Sequence, residues 1–336
     1  MSVPAILETQ NLTGAVRKFK FPEEFVTQKS ELSFLFPDQP IEGDHAEIDV
    51  IENIQAVPKY VSRGGQSISR PLVSRSQIKI RMPYVKESFL VPSDVLNNLR
   101  GLGTSKSMRA VEYISEELEE NARRIARAKE VAKWKALSTS NQLVIDNVLY
   151  TIESPYSIDN TPDVSGTTPW GTTTTDIRAN VKAWNNIVVQ KTGRALNYAF
   201  LNSTTMGYLI KNDLIKTYLQ STERGINIME GIESYNLFGL TWVVWDQYYT
   251  DPWTGSSTMY IPDNTVIMVP GTADWSEYQV GEVAYLSDNG EEAVDYGPVS
   301  YTTMNEDPVG RKCYTLFCGL PVVKIPDSVI IATVAA

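Results

Sequence analysis

Apolar and polar positions change rhythm several times along the chain, and each change predicts a different kind of element. The strongest period lies in residues 105–138. Met108, Val111, Ile114, Leu118, Ala122, Ile125, Ala128 and Ala132 recur at steps of three and four, uninterrupted by Gly or Pro. Ser105 or Ser107 can cap the start of this helix, which at 1.5 Å per residue is about 45–50 Å long. Its acids come first (Glu112, Glu116, Glu117, Glu119, Glu120) and its bases later (Arg123, Arg124, Arg127, Lys129, Lys133, Lys135). That order suits the helix dipole and sets Glu119–Arg123 and Glu120–Arg124 four residues apart. Alanine is frequent in the stripe and no heptad is kept, so one long helix laid across a sheet fits better than a coiled-coil strand.

Residues 46–86 switch to β-rich runs. Ile48, Val50, Ile51, Ile54, Val57 and Val61 precede Gly64-Gly65, and Ile68, Leu72, Val73, Ile78, Ile80 and Met82 follow it. The pattern predicts a long hairpin, with Pro58 and Pro71 restricting it to edge or free-standing strands. Two arms of about 15 residues would reach roughly 50 Å. A two-stranded ribbon of that length is not stable alone in water, so it needs a partner surface. Residues 1–45 keep no sustained period. Phe19, Phe21, Phe25, Leu32, Phe34, Leu35 and Phe36 are scattered among polar residues and Pro4, Pro22, Pro37 and Pro40. This is an arm whose phenylalanines must find shelter on the body of the protein or on a neighbour.

After the long helix come a short hairpin at 143–145 and 148–151, then a Pro/Gly/Thr-rich linker at 160–175. Ile177, Val181, Trp184 and Val188 predict a second amphipathic helix that stops at Gly193. A strand at 199–202 and one or two short helices at 204–219 follow. Strand signals then dominate, at 240–245, 258–261, 266–269, 313–318 and 330–334. The blocks do not alternate, so the fold class is α+β.

Composition narrows the chemistry. With 336 residues, 42 % apolar and 21 % charged, the chain is long enough for one large domain or two to three smaller ones. One histidine, His45, stands in the polar turn 42–47, and two cysteines, Cys313 and Cys318, stand in a strand-like segment. Multi-histidine zinc sites are excluded and no catalytic set assembles, so no enzyme activity, cofactor or metal is expected. The cysteines are five residues apart and so face opposite sides of a strand, as core residues would. The glycines near Gly64 and Gly103 match no phosphate-binding pattern, and Asp288–Glu292 reads as an ordinary turn rather than a calcium loop. No secretory signal and no apolar run of membrane-spanning length is present, which leads us to expect a soluble protein made in the cytoplasm.

Charge is unevenly distributed. The net formal charge is −10 and the pI about 4.8, which argues against a dedicated nucleic-acid binder. Yet from Lys59 to Lys86 there are seven bases (Lys59, Arg63, Arg70, Arg75, Lys79, Arg81, Lys86) and no acid. From Gly225 to Gly310 there are fourteen acids and no Lys or Arg. Either each piece is a solvated charged face, or the basic hairpin of one copy lies on an acidic surface of the next. The second arrangement is head-to-tail, because the two surfaces differ.

The order of arm, long hairpin, charged helix, short hairpin, linker and α+β domain resembles the Hong Kong 97-type capsid fold. Local sequence is similar to the lambda-type major capsid protein E family of tailed bacteriophages. The carriers are Arg81-Met-Pro-Tyr-Val-Lys-Glu-Ser running into Val91-Pro-Ser-Asp-Val-Leu, Lys133-Trp-Lys-Ala-Leu-Ser-Thr before Leu143-Val-Ile-Asp-Asn, and the closing Leu320-Pro-Val-Val-Lys-Ile-Pro-Asp-Ser-Val-Ile-Ile-Ala-Thr-Val. Where a glycine is expected after Thr139, Ser140-Asn141 stand instead. The resemblance implies an N-arm (1–45), an E-loop hairpin (46–86) and a P-domain (87–172) with its spine helix at 105–138, completed by C-terminal strands. It further implies an A-domain with returning P-domain strands (173–336). It implies pentamers and hexamers of an icosahedral shell in the virion, assembled in the bacterial cytoplasm and enclosing double-stranded DNA without specific binding. Scaffold, portal and decoration proteins are the partners it suggests, with no membrane. Contacts between copies are expected at Lys59, Arg63, Gly64, Gly65, Arg70, Arg75, Lys79 and Arg81 of the hairpin and at Phe19, Phe21 and Phe25 of the arm. Glu116, Glu120, Arg124 and Arg127 of the spine helix are also expected to matter. The alternative is the shell protein of an encapsulin-like cellular nanocompartment, which shares the fold.

Overall fold

Long helix and long strand cross at the centre of the molecule, and most other elements are placed by them. The computed structural model describes residues 7–18, 31–43, 45–51, 75–99, 105–138, 142–145, 148–151, 158–219, 234–252, 254–287 and 291–335. In chain order, α1 (Thr9–Lys18) and α2 (Glu31–Leu35) precede β1 (Asp38–Pro40), β2 (His45–Ile51), β3 (Arg75–Arg81) and β4 (Tyr84–Pro92). Next come α3 (Ser93–Leu99), α4 (Ser105–Ala136), β5 (Gln142–Ile145), β6 (Val148–Thr151) and α5 (Ile177–Thr192). β7 (Leu196–Leu201), α6 (Ser203–Lys211), α7 (Asp213–Leu219), β8 (Ser234–Leu237), β9 (Leu240–Val244), β10 (Tyr248–Thr250) and β11 (Ser257–Met259) follow. The chain closes with β12 (Thr265–Pro270), β13 (Ser276–Val280), β14 (Glu282–Leu286), β15 (Glu292–Tyr296), β16 (Val299–Asn305), β17 (Gly310–Val323) and β18 (Ile330–Thr333).

Strand β17 organises the first sheet, of order β1-β13-β17-β16 with β4 also on β17. Its first half pairs with β4 (Gly310 opposite Pro92, Cys318 opposite Tyr84) and with β16, its second half with β13. Side chains alternate between the two faces of a strand. Cys313 accordingly packs with Ile114, Leu118 and Ala122 of α4, and Thr315 bonds Asn121 of the same helix. Leu316, Cys318 and Leu320 pack on the other side with Met82, Val283, Val299 and Tyr301. The sheet thus carries α4 and α1 on one face and the β14–β15 hairpin on the other. The second sheet, β18-β12-β7-β9-β8, is covered by α5, whose Ile177, Val181, Trp184 and Val188 are buried. Asp176 caps its start by accepting from the Ala179 amide, and Gly193 ends it at φ 72, a left-handed conformation that glycine adopts without penalty.

Four expectations change. The predicted apolar stripe of α4 is covered only from Ile114 onward; Met108 is 63 % exposed and Val111 also faces solvent. The arm is not without period. Leu7, Leu12 and Val16 bury α1 against α4 and β4, while Leu32, Leu35 and Phe36 sink into the central core, where Phe36 meets Trp275 edge to face at 5.8 Å. Short helices of one to three turns leave too few repeats to stand out among scattered phenylalanines. The β2–β3 ladder ends at Arg81, and residues 84–86 belong to β4, because β17 offers them a full strand to pair with. His45 opens β2 opposite Arg81 rather than standing in a turn.

Candidate intersubunit surfaces

Among the described residues β2 and β3 form a two-stranded sheet of their own, from His45 opposite Arg81 to Ile51 opposite Arg75. Arg75, Lys79 and Arg81 therefore sit at alternate positions of one strand. The register sets Lys79 opposite Glu47, and Asp49 lies two residues further along β2. The root of the ribbon is thus mixed in charge, which sequence order alone conceals. Lys59, Arg63, Gly64, Gly65 and Arg70 lie outside the described residues, as do Phe19, Phe21 and Phe25 of the arm. Lys86 is not on the ribbon. It stands on β4 with its ammonium 4.7 Å from the centre of the Tyr314 ring, which Lys312 approaches from 5.2 Å.

The acidic third is largely committed inside its own chain. Asp274 pairs with Arg194, Glu277 with Lys324, and Asp295 with Arg17 of α1 at 2.8 Å. Burial pushes the Asp274 carboxyl up, but hydrogen bonds from Thr272 and Arg194, with the Arg194 charge, outweigh it and hold the group below the usual range. Asp246 accepts from the Ser203 amide and Asp263 from the Asn202 side chain. Glu282 accepts from the Tyr296 hydroxyl at 3.0 Å. Glu230, Glu233 and Asp288 lie outside the described residues. Asp251 accepts from the Thr254 amide, so among the described residues Glu291 and Glu292 at the β14–β15 turn, and Glu306 and Asp307 at the β16–β17 turn, remain exposed and unpaired.

Of the four residues singled out on the long helix, three meet each other. Glu120 lies 3.5 Å from Arg124 and 3.8 Å from Arg127, and also takes Arg123 at 3.7 Å. Arg124 reaches Glu87 of β4 at 3.3 Å, tying helix to sheet. Exposed pairs of this kind are worth about 0–1 kcal/mol each, so they orient more than they hold. Glu116 is exposed. Sequence reasoning missed a deeper ionic group one turn on. Lys129 bonds Asp38 of β1 at 2.9 Å and lies over the rings of Tyr278 and Phe317, while the buried Lys133 faces Glu130 at 3.5 Å. Burial lowers Lys133 and raises Glu130, each partly offset by the other's charge. Sequence order placed Lys129 and Lys133 among the bases of the helix's second half but could not show that Lys133 is buried.

A second buried polar chain fixes α1. The Thr13 hydroxyl donates to the Ser300 carbonyl and accepts from its amide, Ser300 and Thr315 share a hydrogen bond, and Asn121 donates to Thr315. Arg17 adds bonds to the carbonyls of Tyr296 and Pro298. Four elements from distant parts of the chain are joined this way. Among the described residues no three His, Cys, Asp or Glu side chains group to hold a metal, and no helix is long and apolar enough to cross a membrane.

The family model for phage major capsid protein E matches residues 8–334. A phage-related protein from Bordetella bronchiseptica RB50 superposes with a TM-score of 0.60 at 12 % identity, covering 98 % of this chain and 97 % of that one. A prophage protein of E. coli CFT073, assigned as a capsid protein, gives 0.60 at 14 % identity, with 98 % and 99 % covered. The SrpI encapsulin of Synechococcus elongatus PCC 7942 gives 0.50 at 8 % identity over 95 % and 91 %. These distant likenesses show the shared α+β capsid fold; the encapsulin match is the less specific. No curated protein matches the chain. The two-sheet architecture around a long helix and the match over nearly the whole length lead to one assignment: the chain belongs to the phage major capsid protein E family.

Proposed function

We propose that this chain builds the icosahedral head of a tailed bacteriophage by strapping each copy to the next through its basic ribbon. The sheet on β17 with α4 is then the P-domain, and the sheet on β12 with α5 the A-domain. The ribbon residues Lys59, Arg63, Gly64, Gly65, Arg70, Arg75, Lys79 and Arg81 lie against an acidic surface of a neighbouring copy. Phe19, Phe21 and Phe25, between the two anchored helices of the arm, reach an adjacent subunit. A head-to-tail contact of this kind closes into pentamers and hexamers. A net charge of −10 suits a shell that encloses double-stranded DNA without holding its phosphates. Scaffold, portal and decoration proteins complete the partner set in the bacterial cytoplasm, and no catalysis is involved.

The observation that carries this reading is the segregation of charge between ribbon and final third, in a chain whose family is that of a head protein. Deleting residues 61–70 should leave a folded subunit that no longer forms stable shells. Electron microscopy of the expressed protein is the measurement, and normal particles from the deletion would refute the strap. A portal or terminase gene beside this one separates a phage head from a cellular compartment.

A further inference from the structure

Among the described residues, the outer face of the β14–β15 hairpin has no partner. Register pairs Glu282 with Tyr296, Ala284 with Val294 and Leu286 with Glu292, and by alternation these three pairs share one face. The intervening residues Val283 and Tyr285 turn inward onto the β17 sheet. Outside, Leu286 is 47 % and Val294 58 % exposed, with Ala284 exposed between them. Glu282, Glu291 and Glu292 frame this apolar strip, and Arg17 is spent on Asp295 of the inward face. An apolar centre with a one-sign rim, standing proud of its sheet, is an interface pattern rather than a solvated turn.

We propose that this face receives the basic segment 59–81 of a second copy, so that the β14–β15 hairpin is the acidic acceptor of the strap described above. The inference rests on that strap reading and adds its other half. The argument is charge complementarity. The segment has six bases and no acid, and among the described residues Glu291 and Glu292 are unpaired with any cation. Among the described residues the rest of the acidic third offers little else, since its other carboxylates are bonded internally or stand on the separate β16–β17 turn. The position also suits succession around a ring. The Glu282 amide bonds the Gly43 carbonyl and the Tyr84 hydroxyl bonds the Glu282 carbonyl, so acceptor and ribbon root adjoin on each subunit. A subunit that is gripped at this point also grips the next from it.

The test uses the full-length chain expressed alone, with shells counted by electron microscopy and sedimentation. Glu291→Lys with Glu292→Lys should leave the subunit folded, shown by an unchanged denaturant transition, and lower the assembled fraction about tenfold or more. Added salt should partly restore assembly of this variant, because it screens the new repulsion. Adding Arg75→Glu and Arg81→Glu, at positions opposite Ile51 and His45 and so free of like charge across the ribbon, should recover shells without salt. If the Lys variant assembles like the parent while the 61–70 deletion fails, the strap stands and this acceptor is wrong; the hairpin face then belongs to a partner other than this chain. If the fourfold variant is no better than the double one, the pairing is also overturned. If the deletion too assembles normally, the strap itself falls and the acceptor with it.

Discussion

Lys133 has the environment least suited to its own chemistry. An ammonium that is 5 % exposed is held in the core by a single carboxylate, Glu130, and the burial shifts both groups toward their neutral forms. Breaking a buried pair costs about 3–5 kcal/mol because one charge is left alone, whereas replacing both partners is often neutral or better. Lys133→Met should therefore lie near the lower end of that range, since Glu130 keeps some exposure, and Glu130→Gln added to it should recover most of the loss in denaturant unfolding. The pH dependence follows from the same pair. Glu130 holds its proton to higher pH when folded, so in Lys133→Met stability should fall as pH rises above the ordinary glutamate value, and Glu130→Gln should flatten that slope. Lys133, shifted down, works the other way in the parent: stability grows as pH rises through its lowered value toward 10.5. Cys313 is a simpler case. Its thiol is pushed up to about 12 by burial, so a thiol reagent at pH 8 should modify it only after unfolding. The sequence marked both cysteines as core by parity; that Lys133 is also core lay beyond any periodicity, because its cover comes from residues far along the chain.

Elements that carry their own boundary signals were legible, and those defined by a partner were not. Helix α5 has a capping aspartate, four apolar residues at helical spacing and a terminal glycine, all within 18 residues. Helix α4 reads as clearly, except at its first turn, where Met108 has the right spacing but nothing above it. Strands β13, β15 and β16 carry no apolar run longer than two residues, and their stabilising neighbours lie on β17 or on each other. The join of β4 to β17 is the tightest of these. A Cβ on Gly310 would lie 2.5 Å from the Val91 carbonyl oxygen, which belongs to backbone and cannot swing away. Gly310→Ala should cost about 1–3 kcal/mol by forcing the strands apart, measurable as a lower denaturant midpoint with an unchanged slope.

At the scale of the whole molecule, charge segregation is both sharper and smaller than composition suggests. Most of the described acids of the final third serve the subunit's own fold, and Glu47 faces Lys79 across the ribbon root. Among the described residues, the acids left for assembly stand on two turns, set against the basic residues of the ribbon. Reversing Arg63, Arg70 and Arg75 to Glu should weaken shell formation, with the deficit shrinking as salt rises, followed by light scattering. Assembly indifferent to both charge and salt would make the segregation a matter of solvation alone.

Sequence alone carried the α+β class and the order of arm, hairpin, long helix and late strands, because helical and strand periods and glycine stops are local properties. It also carried the family, since order and local runs persist where overall identity has decayed. Only the tertiary structure decided which face of each element is covered. It put α1 and α2 on the subunit's own body, moved residues 84–86 from ribbon to sheet, closed the core over Lys133 and left the β14–β15 face bare. Those outcomes depend on contacts between residues as much as 287 positions apart, such as Thr13 with Ser300, and no local pattern specifies a partner at that distance.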